Sequence, residues 1–584
     1  MLAPMLAWVF QSRATAGAAN VDLISHAMAE LAAASASRWR VQEATRGALA
    51  PWPLPVRWAT TDRARAVMVR WSAISGPRQG EAAIDLSGQY TEVADMFTRL
   101  GSPRRLVILG EPGAGKTTLA MRLVLDLLDR RCAEDPVPVL LSIGSWNPTR
   151  QHIRGWIAAQ LAAEFDPLRR ITAAPDGRRT SVAARLVDEG RVVPVLDGLD
   201  ELPATSQGPA LAAIGGALRR HDQIVITCRT GAYEQAVAVE GPLASVPVVE
   251  LAPLPVTEVD RYLEAAATAT GWQPIRAELR RSPDGALAQA LSTPLMVWLA
   301  RTIYRTPTSD PIELLRGECR HDRSTIEAHL LDGLVPAVYH KTPPPDAHRP
   351  RWSPRQADRW LRSLAQLMTI QNTYTHTWSG VTRAVFGRWV DVYTALVLIS
   401  ALALLFVAGY RTGLGNSAQG VLISALAMII LLGPMVGSLS PLGAWYLGER
   451  RIQVHRTAAF IQGGVVAMLI GVGAQAKPIS GHAYSIYDGL RQGVVPGLAA
   501  GLAWMIIFTT WGRATTARSI LALLGRIPWR MAAFLEDAYR RGVLRRVGPD
   551  YQFRHARLQE RLALKGDAAS AGHRMPRVAG TAGS

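Results

Sequence analysis

Gly110-Glu111-Pro112-Gly113-Ala114-Gly115-Lys116-Thr117-Thr118 is the stretch from which the rest of the chain is read. Four residues separate its first glycine from Gly115-Lys116-Thr117, the spacing of a P-loop. Leu106 to Leu109 just before it reads as a short buried strand, and Thr117 to Leu128 repeats apolar residues at helical spacing. In that setting the glycines let successive backbone N–H groups turn inward around nucleotide phosphates. Lys116 then reaches the β- and γ-phosphates, and the Thr117 hydroxyl completes the shell of a Mg²⁺ ion. A Gly-rich turn with an incidental lysine would not need the strand before it or the helix after it.

Outward from this stretch, residues 101 to about 250 alternate strand and helix, as a parallel sheet with crossover helices requires. The strand candidates are 106–109, Val137 to Ile143, Val192 to Leu196, Ile224 to Thr227 and Val246 to Leu251. The third runs into Asp197-Gly198-Leu199-Asp200-Glu201. An aspartate at the carboxyl end of a buried strand is where a Walker B carboxylate holds Mg²⁺, so Asp197 joins Thr117 as a metal candidate. Asp200 and Glu201 follow at the spacing that orients a hydrolytic water.

At these residues the chain resembles the NACHT-domain NTPases of the STAND class. The small Gly198 after Asp197 and the acidic pair Asp200-Glu201 have that family's Walker B form. Ile224 to Thr230 resembles its sensor strand, which implies that Arg229 reads the γ-phosphate and supplies positive charge where phosphoryl charge accumulates. In the helical stretch beyond Leu251, Pro294 resembles a proline that packs near the adenine; a proline there also simply kinks a helix. Phe553-Arg554-His555 followed by Gln559-Glu560 resembles the closing motif of the winged-helix subdomain. The resemblance implies that His555 touches the β-phosphate of ADP in a resting state; the alternative is a surface histidine. Asp85 to Gln89 has only a faint likeness to an ABC-transporter signature, lacks one glycine and precedes the P-loop, and is read as coincidence.

A chain of 584 residues is too long for one core. Its net charge of +18 comes almost wholly from arginine, with lysine only at 116, 341, 477 and 565. Such a composition suits a GC-rich bacterial genome, and scattered arginines without an aromatic-basic motif favour an anionic membrane surface over nucleic acid. Cys132, Cys228 and Cys319 have no metal-ligand spacing and read as reduced, mostly buried cytoplasmic thiols. Met1 to Phe10 is apolar but too short to span a bilayer, and no basic residue precedes it, which argues against a secretory signal.

Four apolar stretches follow the helical region: Tyr393 to Tyr410, Gly420 to Leu439, Ala458 to Ala476 and Gly493 to Trp511. Each has 18 to 20 residues and no charge inside, enough to cross about 30 Å of hydrocarbon. Arg450, Arg451 and Arg456 between the second and third, with Arg383, Arg388, Arg513 and Arg518 outside the bundle, place both termini on the cytoplasmic face of the inner membrane. No charge lies mid-membrane, which argues against an ion pathway.

The expected architecture is an α/β P-loop NTPase, a doubly wound parallel sheet, with helical and winged-helix-like subdomains and a four-helix transmembrane bundle. Its divisions are an N-terminal helical region and linker (1–100), the nucleotide-binding domain (101–252), a helical subdomain (253–317), the first winged-helix part (318–389), the membrane helices (390–512), the winged-helix completion (513–565) and a polar tail (566–584). The expected function is a membrane-anchored ATPase switch, ADP-bound at rest and ATP-bound when active, with slow hydrolysis as the reset. Adenine nucleotide and Mg²⁺ are the expected ligands. Assembly into a homo-oligomer and a role in bacterial defence or regulation are implied by the resemblance alone, and the membrane bundle is either an anchor or the effector. The alternatives are an ATP-driven transporter, for which the P-loop to Walker B interval has no ABC signature, and a nucleotide-binding membrane scaffold that does not switch.

Overall fold

The computed structural model describes residues 23–44, 54, 56–60, 86–173, 178–243, 246–265, 271–305, 309–317, 322–339, 352–370, 518–519, 521–547 and 550–572. The four apolar stretches expected to cross a membrane lie outside these residues. Among the described residues no helix is long and apolar enough to do so.

The elements run in order as a helix over 23–44 (α1), Arg57–Thr60 (β1), Gly88–Gln89 (β2), Val93–Arg99 (α2), Arg105–Gly110 (β3), Lys116–Asp129 (α3), Val137–Ser142 (β4) and Ile153–Glu164 (α4). A small hairpin, Ile171–Ala173 (β5) and Arg179–Ser181 (β6), leads to Val182–Asp188 (α5), Val192–Asp197 (β7), Ala204–Ala217 (α6), Ile224–Arg229 (β8), Thr230–Glu240 (α7) and Val248–Leu251 (β9). Helices Val256–Ala265 (α8), Trp272–Arg281 (α9), Ala286–Ala290 (α10), Pro294–Ile303 (α11), Arg323–Val338 (α12) and Pro354–Ile370 (α13) follow. The described C-terminal elements are Met531–Arg540 (α14), Leu544–Val547 (β10), Asp550–Phe553 (β11) and Ala556–Gly572 (α15).

Seven strands form the central sheet in the order β2-β1-β9-β3-β8-β7-β4. The five strands from β9 to β4 are parallel, with β3 between β9 and β8. The sheet is therefore not parallel throughout: β1 adds to its edge antiparallel to β9, and β2 pairs antiparallel with β1. The physical reason lies in Trp58, whose buried ring sits over that edge and whose indole N–H donates to the Leu86 carbonyl at 2.6 Å. A strand of four residues with one buried side chain carries no alternation long enough to read beforehand.

Both faces of the sheet are covered, which explains its runs of consecutive apolar residues. On β3, Leu106 and Ile108 enter one core with Leu119, Leu123 and Val124 of α3, while Val107 and Leu109 enter the other with Trp156 of α4 and Leu211 of α6. Burying each of those large side chains contributes about 1.5–3 kcal/mol, so α3 is fixed against the sheet and its first residue, Lys116, with it.

Two compact units divide the chain: residues 1–375, 538–548 and 552–584 in one, residues 376–537 and 549–551 in the other. In the first, α15 packs against α12 and α13. Asp332 of α12 receives Arg561 at 2.9 Å and Lys565 at 2.7 Å, and Glu327 receives Arg557. In the second, the Tyr551 hydroxyl donates to Glu536 at 3.1 Å. Cys132 and Cys228 are free thiols; Cys228 is buried, but Cys132 is exposed because it lies in the turn after α3.

Candidate nucleotide-binding site

Everything at this site belongs to the first unit. β3 ends at Gly110, the chain turns through Glu111, Pro112, Gly113 and Ala114, and α3 begins at Lys116 with Gly115 as its left-handed cap. Gly113 has φ +87°, and a Cβ there would lie 2.7 Å from the Leu295 Cβ. Glycine is required twice over, by backbone sign and by the close approach of α11. The Leu295 N–H donates to the Gly113 carbonyl at 3.2 Å, tying α11 to the loop. Lys116 folds back, donating through Nζ to the carbonyls of Gly110 at 2.8 Å and Glu111 at 3.2 Å. Burial pulls its ammonium below the ordinary lysine pKa, and Asp200 works against that shift.

β7 delivers Asp197 to the same place. The Thr117 hydroxyl donates to Asp197 Oδ2 at 2.9 Å, and the Thr227 hydroxyl donates to Asp197 Oδ1 at 2.7 Å while accepting from the Gly198 N–H at 2.9 Å. Asp197 is 4% exposed and Thr227 fully buried, so the carboxylate has one edge fastened inside and one facing Thr117. A hydroxyl on the first helical turn and a carboxylate at a strand end form a hard-oxygen pair of the kind Mg²⁺ takes alongside water and phosphate. The donors at this position fit that ion.

Asp200 and Arg229 are each other's partners. Asp200 Oδ2 lies 2.8 Å from Arg229 Nε, and Oδ1 accepts the Arg229 backbone N–H at 3.0 Å. Arg229 Nη2 also reaches Glu560 Oε1 of α15 at 3.0 Å. Glu201 sits against Gly198, accepts the Ser142 hydroxyl at 3.1 Å and receives Arg545 Nη2 of β10 at 2.8 Å. Burial pushes the Glu201 carboxyl up to about 7, with Asp197 and Asp200 adding and Arg545 opposing. Arg545 is itself held above its ordinary value: burial works against its charge, and Glu201 and Asp197 outweigh it.

These residues surround a cavity of about 450 Å³. Of the residues expected from sequence, Pro112, Gly113, Gly115, Lys116, Thr117, Thr118, Asp197, Asp200, Glu201, Arg229, Pro294 and His555 line it; Gly110, Glu111 and Ala114 build the loop behind. Pro294 opens α11 at its first turn, where a missing N–H costs no hydrogen bond, so it does not kink a helix. His555 packs against Trp298 of α11 with ring centroids 5.9 Å apart and planes tilted by 48°, and the Arg554 guanidinium lies 5.8 Å from that same indole ring. The residues that sequence reasoning missed are Ser142, Thr227 and Arg545; Glu560 stood in the closing motif, but its contact with Arg229 was not foreseen. Thr227 carried a signal, a lone hydroxyl among the apolar residues of β8. Arg545 carried none, since Arg540, Arg541 and Arg546 surround it in sequence.

Residues 104–269 match the family model of the NACHT domain. No curated protein matches the chain.

Proposed function

Because residues 104–269 are a NACHT-type P-loop NTPase domain, we propose that the chain is a nucleotide-dependent switch, anchored in the inner membrane by its four apolar stretches with the NTPase domain cytoplasmic. ADP occupies the P-loop cavity in the resting state, and exchange for ATP with Mg²⁺ releases the C-terminal segment from that cavity. Lys116 and the loop N–H groups bind the phosphates; Thr117 and Asp197 hold the metal. Glu201, with Asp200 beside it, orients the attacking water, and Arg229 answers the γ-phosphate. Pro294 contacts the base and His555 the β-phosphate. Bound Mg²⁺ supplies charge neutralisation for the phosphates.

One observation carries the reading. Two residues distant in sequence, Arg545 and Glu560, are seated on Glu201 and Arg229, the pair expected to respond to the terminal phosphate. A ligand that engages Glu201 and Arg229 differently in its di- and triphosphate forms has the differential contacts a population shift needs.

The test is the oligomer size of the full chain in detergent with ADP, with a slowly hydrolysed ATP analogue, and as Lys116→Ala. The switch predicts a larger species with the analogue only, and none for Lys116→Ala. Identical profiles in all three would leave a non-switching scaffold as the better description.

A further inference from the structure

We propose that Arg545 is the built-in counter-ion of the metal position: its guanidinium and Mg²⁺ are alternative occupants of the Asp197–Glu201 carboxylates, so metal-loaded nucleotide expels β10 and metal-free nucleotide leaves it seated. This rests on the reading of the cavity as a Mg²⁺–nucleotide site.

The geometry is specific at the level of single oxygens. Asp197 Oδ1 accepts the Thr227 hydroxyl at 2.7 Å, and the Thr117 hydroxyl lies nearer to Oδ2, at 2.9 Å, than to Oδ1, at 3.2 Å. Arg545 Nη1 lies 3.6 Å from that same Oδ2, and Nη2 lies 2.8 Å from Glu201 Oε1. The fork thus bridges the metal-binding carboxylate and the water-orienting one. It is aimed there: Arg545 Nε donates at 2.9 Å to Oε1 of Gln552, a side chain 1% exposed on the facing strand β11.

Local charge explains why the two cations exclude each other. Arg545 already bridges Asp197 and Glu201, while Asp200 is taken by Arg229. A dication placed between Thr117 and Asp197 takes over the Oδ2 edge and leaves the guanidinium beside a charge of its own sign in a cleft that screens poorly. Arg545 is carried by β10, a strand of four residues in a two-stranded sheet, whereas Asp197 is carried by β7 inside the seven-stranded one. The arginine is the partner that can leave. Its departure frees the strand that leads through β11 to His555 and α15.

The experiment uses the full chain in detergent and fluorescent ADP, with Mg²⁺ or with EDTA, for wild type, Arg545→Ala, Arg545→Lys and Lys116→Ala. Hydrogen exchange over residues 544–553 is followed in parallel, and a melting curve without ligand checks folding. In wild type, exchange over 544–553 should rise when Mg²⁺ is added with nucleotide and stay low in EDTA. Arg545→Ala should bind Mg²⁺–ADP about tenfold tighter than wild type, with affinity in EDTA within about twofold. Arg545→Lys keeps a cation without the fork and should fall between; it carries the test if the alanine variant does not fold. Arg545→Ala or Arg545→Lys binding Mg²⁺–ADP no tighter than wild type, or wild-type exchange indifferent to Mg²⁺, overturns the proposal. If Lys116→Ala has by then lost binding, the nucleotide reading survives that failure; if Lys116→Ala binds as wild type does, both fall.

Discussion

The P-loop and the segment from β10 to α15 face one cavity, and they are held there by different means. Around Lys116 the fixing interactions are local: Nζ returns to a carbonyl six residues back, and the helix that carries it is packed on the strand that precedes it. Around Arg545, Glu560 and Arg561 the fixing interactions are ion pairs with Glu201, Arg229 and Asp332, made across separations of 344, 331 and 229 residues. Local chain geometry cannot be exchanged for anything else, whereas an ion pair can be traded for another charge. The first region therefore decides whether nucleotide binds, and the second decides which state the bound protein adopts.

Substitutions should separate the two regions. The largest effect belongs to Lys116→Ala, which should weaken nucleotide binding by about a hundredfold or more in a fluorescence titration, while exchange over 544–566 without nucleotide stays at the wild-type level. An equal loss of affinity in Arg545→Ala would erase the distinction. Gly113→Ala comes next. Its φ of +87° and the 2.7 Å approach to Leu295 should lower unfolding stability by about 1–3 kcal/mol, seen as a lower melting temperature and weaker nucleotide binding together.

Glu201 gives a pH handle on the boundary between the regions. Its folded pKa of about 7 lies above the ordinary carboxyl value of 4.5, so the folded state holds the proton more tightly than the unfolded chain. Its contribution is fully present below about 4.5 and is lost as pH rises through about 7. The melting temperature of nucleotide-free wild type minus that of Glu201→Gln should fall across that window and level off above it; a difference that rises would contradict the burial of this carboxyl. The smallest effect is expected of Asp332→Asn. It removes the anchor of Arg561 and Lys565 at a partly exposed site, which should cost about 1 kcal/mol or less and raise exchange over 556–566 without altering metal-free nucleotide affinity.

The same division governs how much could be read from sequence. β3, β4, β7 and β8 appear within a residue or two of their expected bounds, because runs such as Leu106 to Leu109 need no partner to be recognised. Thr117 and Asp197 were legible as a pair because each closes a local motif. Arg229 was legible as a charged residue at a strand end, but its engagement by Asp200 and Glu560 was not, since nothing near it in sequence names Glu560. Arg545 is one arginine among several in the hairpin region, and only its tertiary position opposite Glu201 distinguishes it. β1 was missed for a different reason: its place in the sheet depends on Trp58 packing at an edge formed by β9, nearly two hundred residues away.

The most direct measurement is hydrogen exchange over residues 544–566 of the full chain, comparing ADP in EDTA with a slowly hydrolysed ATP analogue in Mg²⁺. The account predicts that this segment exchanges faster with the analogue than with ADP, while β3 and α3 remain equally protected with both. Equal protection of 544–566 with the two nucleotides, both shown to be bound, would contradict it.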